Sequence, residues 1–436
     1  MKLPAHFDYR EDRLHIEQLA VEDIATRFGT PCYVYSKAAL LENFASYQDA
    51  CARFYAHGQT LVCYALKANS NLALIDLLAR QGAGFDIVSA GELKRVVSAG
   101  GPGVAGRVIF SGVGKSRAEM QYALEQGIRC FNVESVSELH HLNEVAGRCG
   151  RRAPVSLRVN PDVDAKTHPY ISTGLKENKF GVAFDDARAA YQLARSLPHL
   201  DVIGIDCHIG SQLLDDAPLI EALDKLIGLI DQLAAEGIEI HHLDLGGGIG
   251  IRYGDEAPGE APVRVADYLQ RVFARIDAWR AARHAGKPLT VMFEPGRSLV
   301  GNAGILLTRV EVLKPGSSKN FAVVDAAMND LMRPAMYEAW HGVAPARPGT
   351  GEVRSWDIVG PVCESGDWLA RGRELALAED DLLAILSAGA YGMTMASNYN
   401  TRPRAAEVMV DGDQAYLIRE RETAEQLFAG ERLLPG

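Results

Sequence analysis

Lys67 is the residue best placed to do chemistry, because it ends the run Leu61-Val62-Cys63-Tyr64-Ala65-Leu66-Lys67. That run reads as a buried strand, apolar and of strand length, with turn chemistry after it. An amine at the end of such a strand, desolvated by its surroundings, attacks carbonyls and forms Schiff bases. The plainer alternative is a strand-end lysine reaching into water. Further along, other apolar runs end in groups that also carry chemistry: Asp86 and Ser89, Arg158 and Asn160, and Cys207-His208-Ile209-Gly210-Ser211. Gly246-Gly247-Gly248 and Glu294-Pro295-Gly296-Arg297 follow two more. Each has an ordinary structural reading, His208 as a satisfied core histidine, the glycines as a tight turn, Glu294 as half of an ion pair. On one rim they make a set. Bare glycine amides approach an anion closely, a flat aromatic stacks on a ring, and a carboxylate partners a ring nitrogen. Pyridoxal phosphate needs those parts together with an amine for its aldehyde. A carboxylate at the ring nitrogen keeps it protonated and able to accept electrons, whereas an arginine there would leave a weaker sink.

The elements that must position these groups alternate. Strand-like runs at 61–67, 85–88, 108–110, 130–133, 155–159, 202–205, 242–245 and 289–293 are separated by helical patterns such as Asn71–Arg80 and Ala90–Ala99. Eight such units predict an α/β fold, a closed (β/α)₈ barrel whose site lies at the carboxyl ends of the strands, with an anion cradle after strands seven and eight. Past Pro295 strand-like runs continue (310–313, 321–325, 382–386, 407–410) while the helices mostly vanish, so a C-terminal all-β domain is expected. Short strand-like runs at 14–16 and 32–35 precede the barrel, and Ser36 reads as a helix N-cap. Gly101-Pro102-Gly103-Val104-Ala105-Gly106 fits GxGxxG but stands before a strand, the wrong context for a dinucleotide site.

With 436 residues, the chain has room for a large domain and a smaller one. A net charge of -11 argues against nucleic acid or an anionic membrane surface as partner. No signal-like or membrane-spanning run is present. The seven cysteines are scattered without a CxxC pair, which suits reduced cytoplasmic thiols and offers no metal site.

The segments YALKAN, FDIVSAGE, HPYISTGLKENKFG, CHIGSQ, LDLGGGIG, FEPGR, NDLMRPAMY, CESGDWLA and AYGMTMASNYNTRP together resemble the diaminopimelate decarboxylase family. That family belongs to the pyridoxal-phosphate decarboxylases built on an alanine-racemase-like barrel with a β domain. The resemblance runs from about residue 8 to the C-terminus. It implies decarboxylation of meso-2,6-diaminopimelate to L-lysine, the last step of lysine biosynthesis. It also implies a cofactor-binding barrel of about 36–296, a β domain of 297–436, and a segment 1–35 that joins the latter. By the resemblance, Lys67 holds the cofactor, His208 stacks on its ring, Glu294 pairs with its nitrogen and Asp86 belongs to the cofactor set. Ser211, Gly246, Gly247, Gly248 and the stretch Glu294, Pro295, Gly296, Arg297 hold the phosphate, with Tyr391 closing over it. Arg297, Arg333, Tyr337 and Tyr391 receive the substrate, Glu364 its distal ammonium, and Cys363 gives the proton. Arg297 thus falls in both the phosphate and the substrate sets. A homodimer with shared sites, completed by Cys363 and Glu364, is implied as well. Two guanidinium forks and a carboxylate suit a zwitterion, which favours diaminopimelate over ornithine, arginine or carboxynorspermidine, the substrates of sister decarboxylases. A silent binding relative would be expected to lose Lys67 or Cys363, and a cofactor-free Schiff-base aldolase leaves the triple glycine and Glu294 unexplained.

Overall fold

The computed structural model describes residues 2–164, 178–254, 263–283 and 289–436. Eight parallel strands, Gln59–Ala65, Gly84–Ile87, Val108–Phe110, Cys130–Val133, Ala153–Asn160, Leu200–Asp206, His242–Asp244 and Thr290–Phe293, form a ring in chain order. The last pairs with the first through Thr290 opposite Gln59 and Phe293 opposite Val62, so the barrel is closed. Each strand of the expected set is present. Strands covered on both faces have no polar side to show, which is why they read as short apolar runs rather than alternating ones. Low in the barrel, Cys63, Ile109, Cys130 and Met292 make a buried cluster with Leu61 and Ile203 packed on it.

The helices begin where the sequence supplies an oxygen. Asn71, Ser89, Ser116 and Ser135 each accept a backbone N–H from the first turn of the helix that follows, and Ser116 with Glu119 completes a capping box. Polar caps immediately after apolar strands keep the connections short, so chemistry at the strand ends sits on fixed positions.

The chain divides into two compact units, one of Phe44–Ile251 and Glu260–Ser298 that contains the barrel, the other of Met1–Asn43, Arg252–Gly259 and Leu299–Gly436. In the second, the strand Cys32–Ser36 lies between Gly304–Lys314, antiparallel to it, and Ala406–Asp411, parallel to it. A strand from the start of the chain therefore occupies the middle of a sheet made by its end. Leu14, Ile16, Val21, Ile24, Val34, Ile305, Leu307, Leu386, Val408 and Val410 build its core. Ser36 Oγ accepts Ala39 N–H at 3.0 Å and starts the helix Lys37–Phe54. No helix among the described residues is long and apolar enough to cross a membrane.

One close approach in the barrel wall is testable. Gly204 stands opposite His242 in register, and a methyl group there would overlap the buried His242 ring. Overpacking of this kind costs about 1–3 kcal/mol. Gly204→Ala should lower the unfolding free energy measured by denaturant titration by that amount, and an unchanged free energy would show that the ring is free to move aside.

Candidate active site

The first barrel strand stops at Ala65, two residues earlier than its sequence suggests, and Leu66–Ala68 forms a single 3₁₀ turn. Tyr64 Oη donates to the Asn69 carbonyl at 2.8 Å, and Asn69 Oδ1 accepts Asn71 N–H at 3.1 Å, which pins the turn. Lys67 is thus presented from a turn above the strand rather than from the strand itself. Its Nζ donates to Asp86 Oδ2 at 2.6 Å; Asp86 is wholly buried while the lysine side chain keeps 37% of its surface open. The result is an amine anchored from below and approachable from above.

His208 and the glycine run meet around the next rim positions. Gly247 N–H donates to His208 Nδ1 at 3.2 Å. Burial, reinforced by the positive charges of Arg158 and Lys67, pushes the His208 ring well below its ordinary pKa, so it is a neutral plate with Nδ1 as acceptor. Gly247 has to be glycine, because a Cβ there would overlap the Glu294 carbonyl oxygen. On the same rim, Arg297 Nη2 and Nε donate to Ser211 Oγ at 3.1 and 3.3 Å.

Glu294 is buried and accepts Asn132 Nδ2 at 3.4 Å. Its backbone N–H donates to Gly246 O at 2.7 Å. Gly246 N–H donates in turn to Asp244 Oδ1 at 2.9 Å. Asp244 therefore braces the glycine turn and, through it, the backbone of Glu294. Carboxylate oxygens of Asp206, Asp244 and Glu294 all lie within 4.8 Å of one another. Burial pushes each above the ordinary carboxylate range; Asp86 adds to it for all three, Asp244 for Asp206 and Glu294, and Asp206 for Glu294, while Asp244 reaches about 7. Asp86 Oδ1, Asp206 Oδ1 and Asp244 Oδ2 have no hydrogen-bond partner. Arg158 pairs with Glu134 at 3.2 Å, donates to the His208 carbonyl at 3.4 Å and lies over the Phe180 ring at 4.9 Å.

The family model described as pyridoxal-dependent decarboxylase, pyridoxal binding domain, matches residues 38–301. Diaminopimelate decarboxylase of Pseudomonas aeruginosa is 58% identical over 429 residues, 98% of this chain and 99% of that protein. The chain belongs to the diaminopimelate decarboxylase family. Two solved diaminopimelate decarboxylases, both in complex with L-lysine, have the same fold. The M. jannaschii enzyme superposes with a TM-score of 0.93 at 38% identity, covering 100% of this chain and 99% of that one. The Helicobacter pylori enzyme gives 0.86 at 41% identity, covering 94% and 98%.

The pyridoxal phosphate implied by the diaminopimelate decarboxylase family fits the residues present. Buried carboxylates with orphaned oxygens either keep a proton or meet a cation, and a protonated ring nitrogen would be such a cation. The neutral His208 ring suits stacking, and the glycine turn leaves no side chain between its amides and an anion. Lys67 is the amine on the same rim.

The other site residues expected of a diaminopimelate decarboxylase lie in the sheet-containing unit. Arg333 is buried, Tyr337 and Tyr391 are half-buried, and Cys363 and Glu364 are exposed. The last two sit on a turn held from beneath by the buried Asp367, whose carboxylate accepts Val362 N–H at 2.8 Å and Met328 N–H at 2.7 Å. Cys363 N–H donates to Asn400 Oδ1 at 2.9 Å. In the segment HPYISTGLKENKFG, His168 to Glu177 lie outside the described residues; Gly181 N–H donates to Glu134 at 3.1 Å. Sequence reasoning passed over Asp206, Asp244, Asn132 and Glu134. A carboxylate at the end of an otherwise apolar strand run is a signal that would have found the first two.

Removal of the cofactor leaves Asp244 among like charges. Its folded pKa, about 7 against an ordinary 3.8, means that the folded state holds the proton more tightly than the unfolded one. The stabilisation is fully present below about 3.8 and is lost as pH rises through about 7. Relative to Asp244→Asn, which keeps the acceptor for Gly246 but cannot ionise, the cofactor-free wild type should lose thermal stability between those pH values. Parallel melting curves for the two proteins across that window would refute a raised Asp244 pKa, set first by burial and then by Asp86.

Proposed function

We propose that the chain removes one α-carboxylate of meso-2,6-diaminopimelate, releasing carbon dioxide and L-lysine. The observation that carries this reading is the buried, cation-seeking mouth of the barrel with Lys67 on its rim, in a chain 58% identical to a diaminopimelate decarboxylase along almost its whole length. Bound pyridoxal phosphate supplies an aldehyde that captures amines and a ring that takes up the electrons left behind by carbon dioxide.

The chain's own residues do the rest. Lys67 Nζ holds the cofactor and yields to the substrate amine, steadied by Asp86. Glu294, pushed well above the ordinary carboxylate range by burial and then by Asp86, Asp244 and Asp206, has a proton to share with the ring nitrogen and becomes its counter-ion. His208, neutral, covers one face of the ring and keeps water from it. Gly246, Gly247, Gly248, Ser211 and the stretch Glu294 to Arg297 receive the phosphate, and Tyr391 closes over it. Arg297, Arg333 and Tyr337 grip the distal carboxylate and Glu364 the distal ammonium; an ornithine-like substrate would leave the guanidinium forks without a partner, at a cost of about 1–3 kcal/mol. Cys363 Sγ delivers the proton that replaces carbon dioxide, a step worth about 10²-fold or more in rate. In this reading 36–296 is the cofactor barrel, and 1–35 with 297–436 the domain that contributes the substrate grip.

Cys363 and Glu364 are exposed in the single chain. A thiol and a carboxylate that act on a desolvated substrate need cover, which supports a homodimer in which each chain lends this turn to the other's barrel. The seven free cysteines support a reducing, cytoplasmic setting.

Two measurements test the scheme. Borohydride reduction of the holoenzyme should fix a pyridoxyl group on Lys67, and Lys67→Ala should abolish carbon dioxide release from diaminopimelate; a Lys67→Ala protein that still makes lysine would end the assignment. Lys67→Ala and Cys363→Ala proteins, each poorly active alone, should regain about a quarter of wild-type activity when their chains are mixed, since half of the random dimers carry one intact site. If mixing restores nothing, each chain completes its own site.

A further inference from the structure

Arg333 does not stand alone in its unit. Its Nη1 donates to His341 Nε2 at 2.9 Å, and its guanidinium carbon lies 4.5 Å from the centroid of the Tyr253 ring. Tyr253 and His341 meet edge to face, centroids 4.9 Å apart and planes 74° apart. All three residues are buried, His341 completely. Tyr253 comes from Arg252–Gly259, a segment that interrupts the barrel stretch of the sequence yet is counted with the sheet-containing unit.

The hydrogen bonds fix the state of the His341 ring. Nδ1 lies 2.8 Å from the Leu386 carbonyl, which can only accept. Nδ1 therefore carries the proton, and Nε2 of the neutral ring offers its lone pair to Arg333. A ring protonated on both nitrogens would aim an N–H at the guanidinium and break the contact. His341 is itself held: its backbone carbonyl accepts Arg373 Nη2 at 2.7 Å. The chemistry of the acceptor matters. A carboxylate beside Arg333 would orient the guanidinium but also neutralise it, and would compete with any incoming anion. A neutral imidazole orients it without itself adding a counter-charge. The Tyr253 face does the same from another side, attracting the cation through its ring quadrupole without supplying a counter-ion.

We propose that His341 and Tyr253 are positioning residues that fix the plane of the Arg333 guanidinium for a carboxylate of the substrate, setting the affinity for substrates acidic at the distal end. This rests on the reading of Arg333 as a substrate-binding residue. Binding shared equally by ground and transition states appears in KM, whereas a group acting on the reacting bonds appears in kcat. The brace therefore belongs to KM.

The test compares holoenzyme variants by KM and kcat for diaminopimelate, the visible absorbance of bound cofactor, and melting temperature. His341→Asn keeps a donor for Leu386 but is too short to accept from Arg333. It should raise KM about tenfold or more, the loss expected for a hydrogen bond to a charged group, while kcat changes far less. His341→Gln places an amide oxygen near the position of Nε2 and should recover most of that loss. Tyr253→Leu, which stays apolar but loses the ring face, should raise KM about threefold; it carries the test alone if the histidine variants do not fold. Equal KM values for His341→Asn and His341→Gln, a fall in kcat with KM unmoved, or a Tyr253→Leu protein with wild-type KM would each overturn the brace. Arg333→Ala separates the two levels: if its KM is that of the wild type, the substrate role of Arg333 fails, and if its KM rises while the His341 and Tyr253 variants do not follow, only the brace fails.

Discussion

Negative charge buried at the mouth of the barrel is the constraint around which the rest is arranged. Asp86, Asp206, Asp244 and Glu294 are all almost completely removed from water. Lys67 answers Asp86, and Arg158 is spent on Glu134. That leaves Asp206, Asp244 and Glu294 facing one another across less than 5 Å without a fixed cation among the described ion pairs. An isolated ionised carboxylate in such a place costs several kcal/mol, and the usual escape is to keep a proton. The upward shifts of all three groups are that escape. A cationic ring nitrogen removes the need for it. In the proposed reading the cost of holding these acids apart from water would become affinity for a protonated pyridine.

The same carboxylates also set geometry, which is why they are not simply replaced by apolar residues. Asp244 holds Gly246 N–H, and Gly246 O holds Glu294 N–H. The glycine turn and Glu294 are thus two ends of one short chain of hydrogen bonds that starts from a strand end. Both are positioned by one side chain, and the spacing between them is inherited from the spacing of strands seven and eight; in the proposed reading they would receive the phosphate and the ring nitrogen. His208 enters the same assembly through Gly247. A barrel supplies this kind of rigidity because each loop starts from a strand paired on both sides.

Much of this was legible in the sequence, and what was not has physical causes. The eight strands declared themselves because a strand buried on both faces leaves an apolar run bounded by polar caps. The residues after those runs included Lys67, Asp86, His208, the glycines and Glu294, because residues that do chemistry on a barrel have nowhere else to be. Asp206 and Asp244 close strands that read as apolar runs and were passed over there, although a carboxylate among such neighbours is itself an anomaly. The 3₁₀ turn that lifts Lys67 off its strand depends on hydrogen bonds from Tyr64 and Asn69 that no periodicity shows. His341 and Tyr253 were invisible for a different reason. They are far apart in the chain, neither stands at a strand end of the barrel, and only the folded structure, which groups Tyr253 with the sheet-containing unit, makes them neighbours.

The two ends of a substrate symmetric in its functional groups pose a problem that the cofactor cannot solve, since it reacts with either amine. Discrimination has to come from the far end, and there the structure separates orientation from charge. Arg333 is oriented by a neutral imidazole and an aromatic face, neither of which itself supplies a counter-charge. Asp86, by contrast, takes the charge of Lys67 directly, because an amine that must be released and recaptured is better held by a partner that stays behind than left to water. Cys363 and Glu364 show a third arrangement, a turn made rigid by the buried Asp367 while its tip stays in solvent. Rigidity without cover is costly to maintain for its own sake, since the turn gains no burial from it. In the proposed dimer that cost is offset when a second copy covers the tip, and a catalytic thiol is dry only while the assembly is intact.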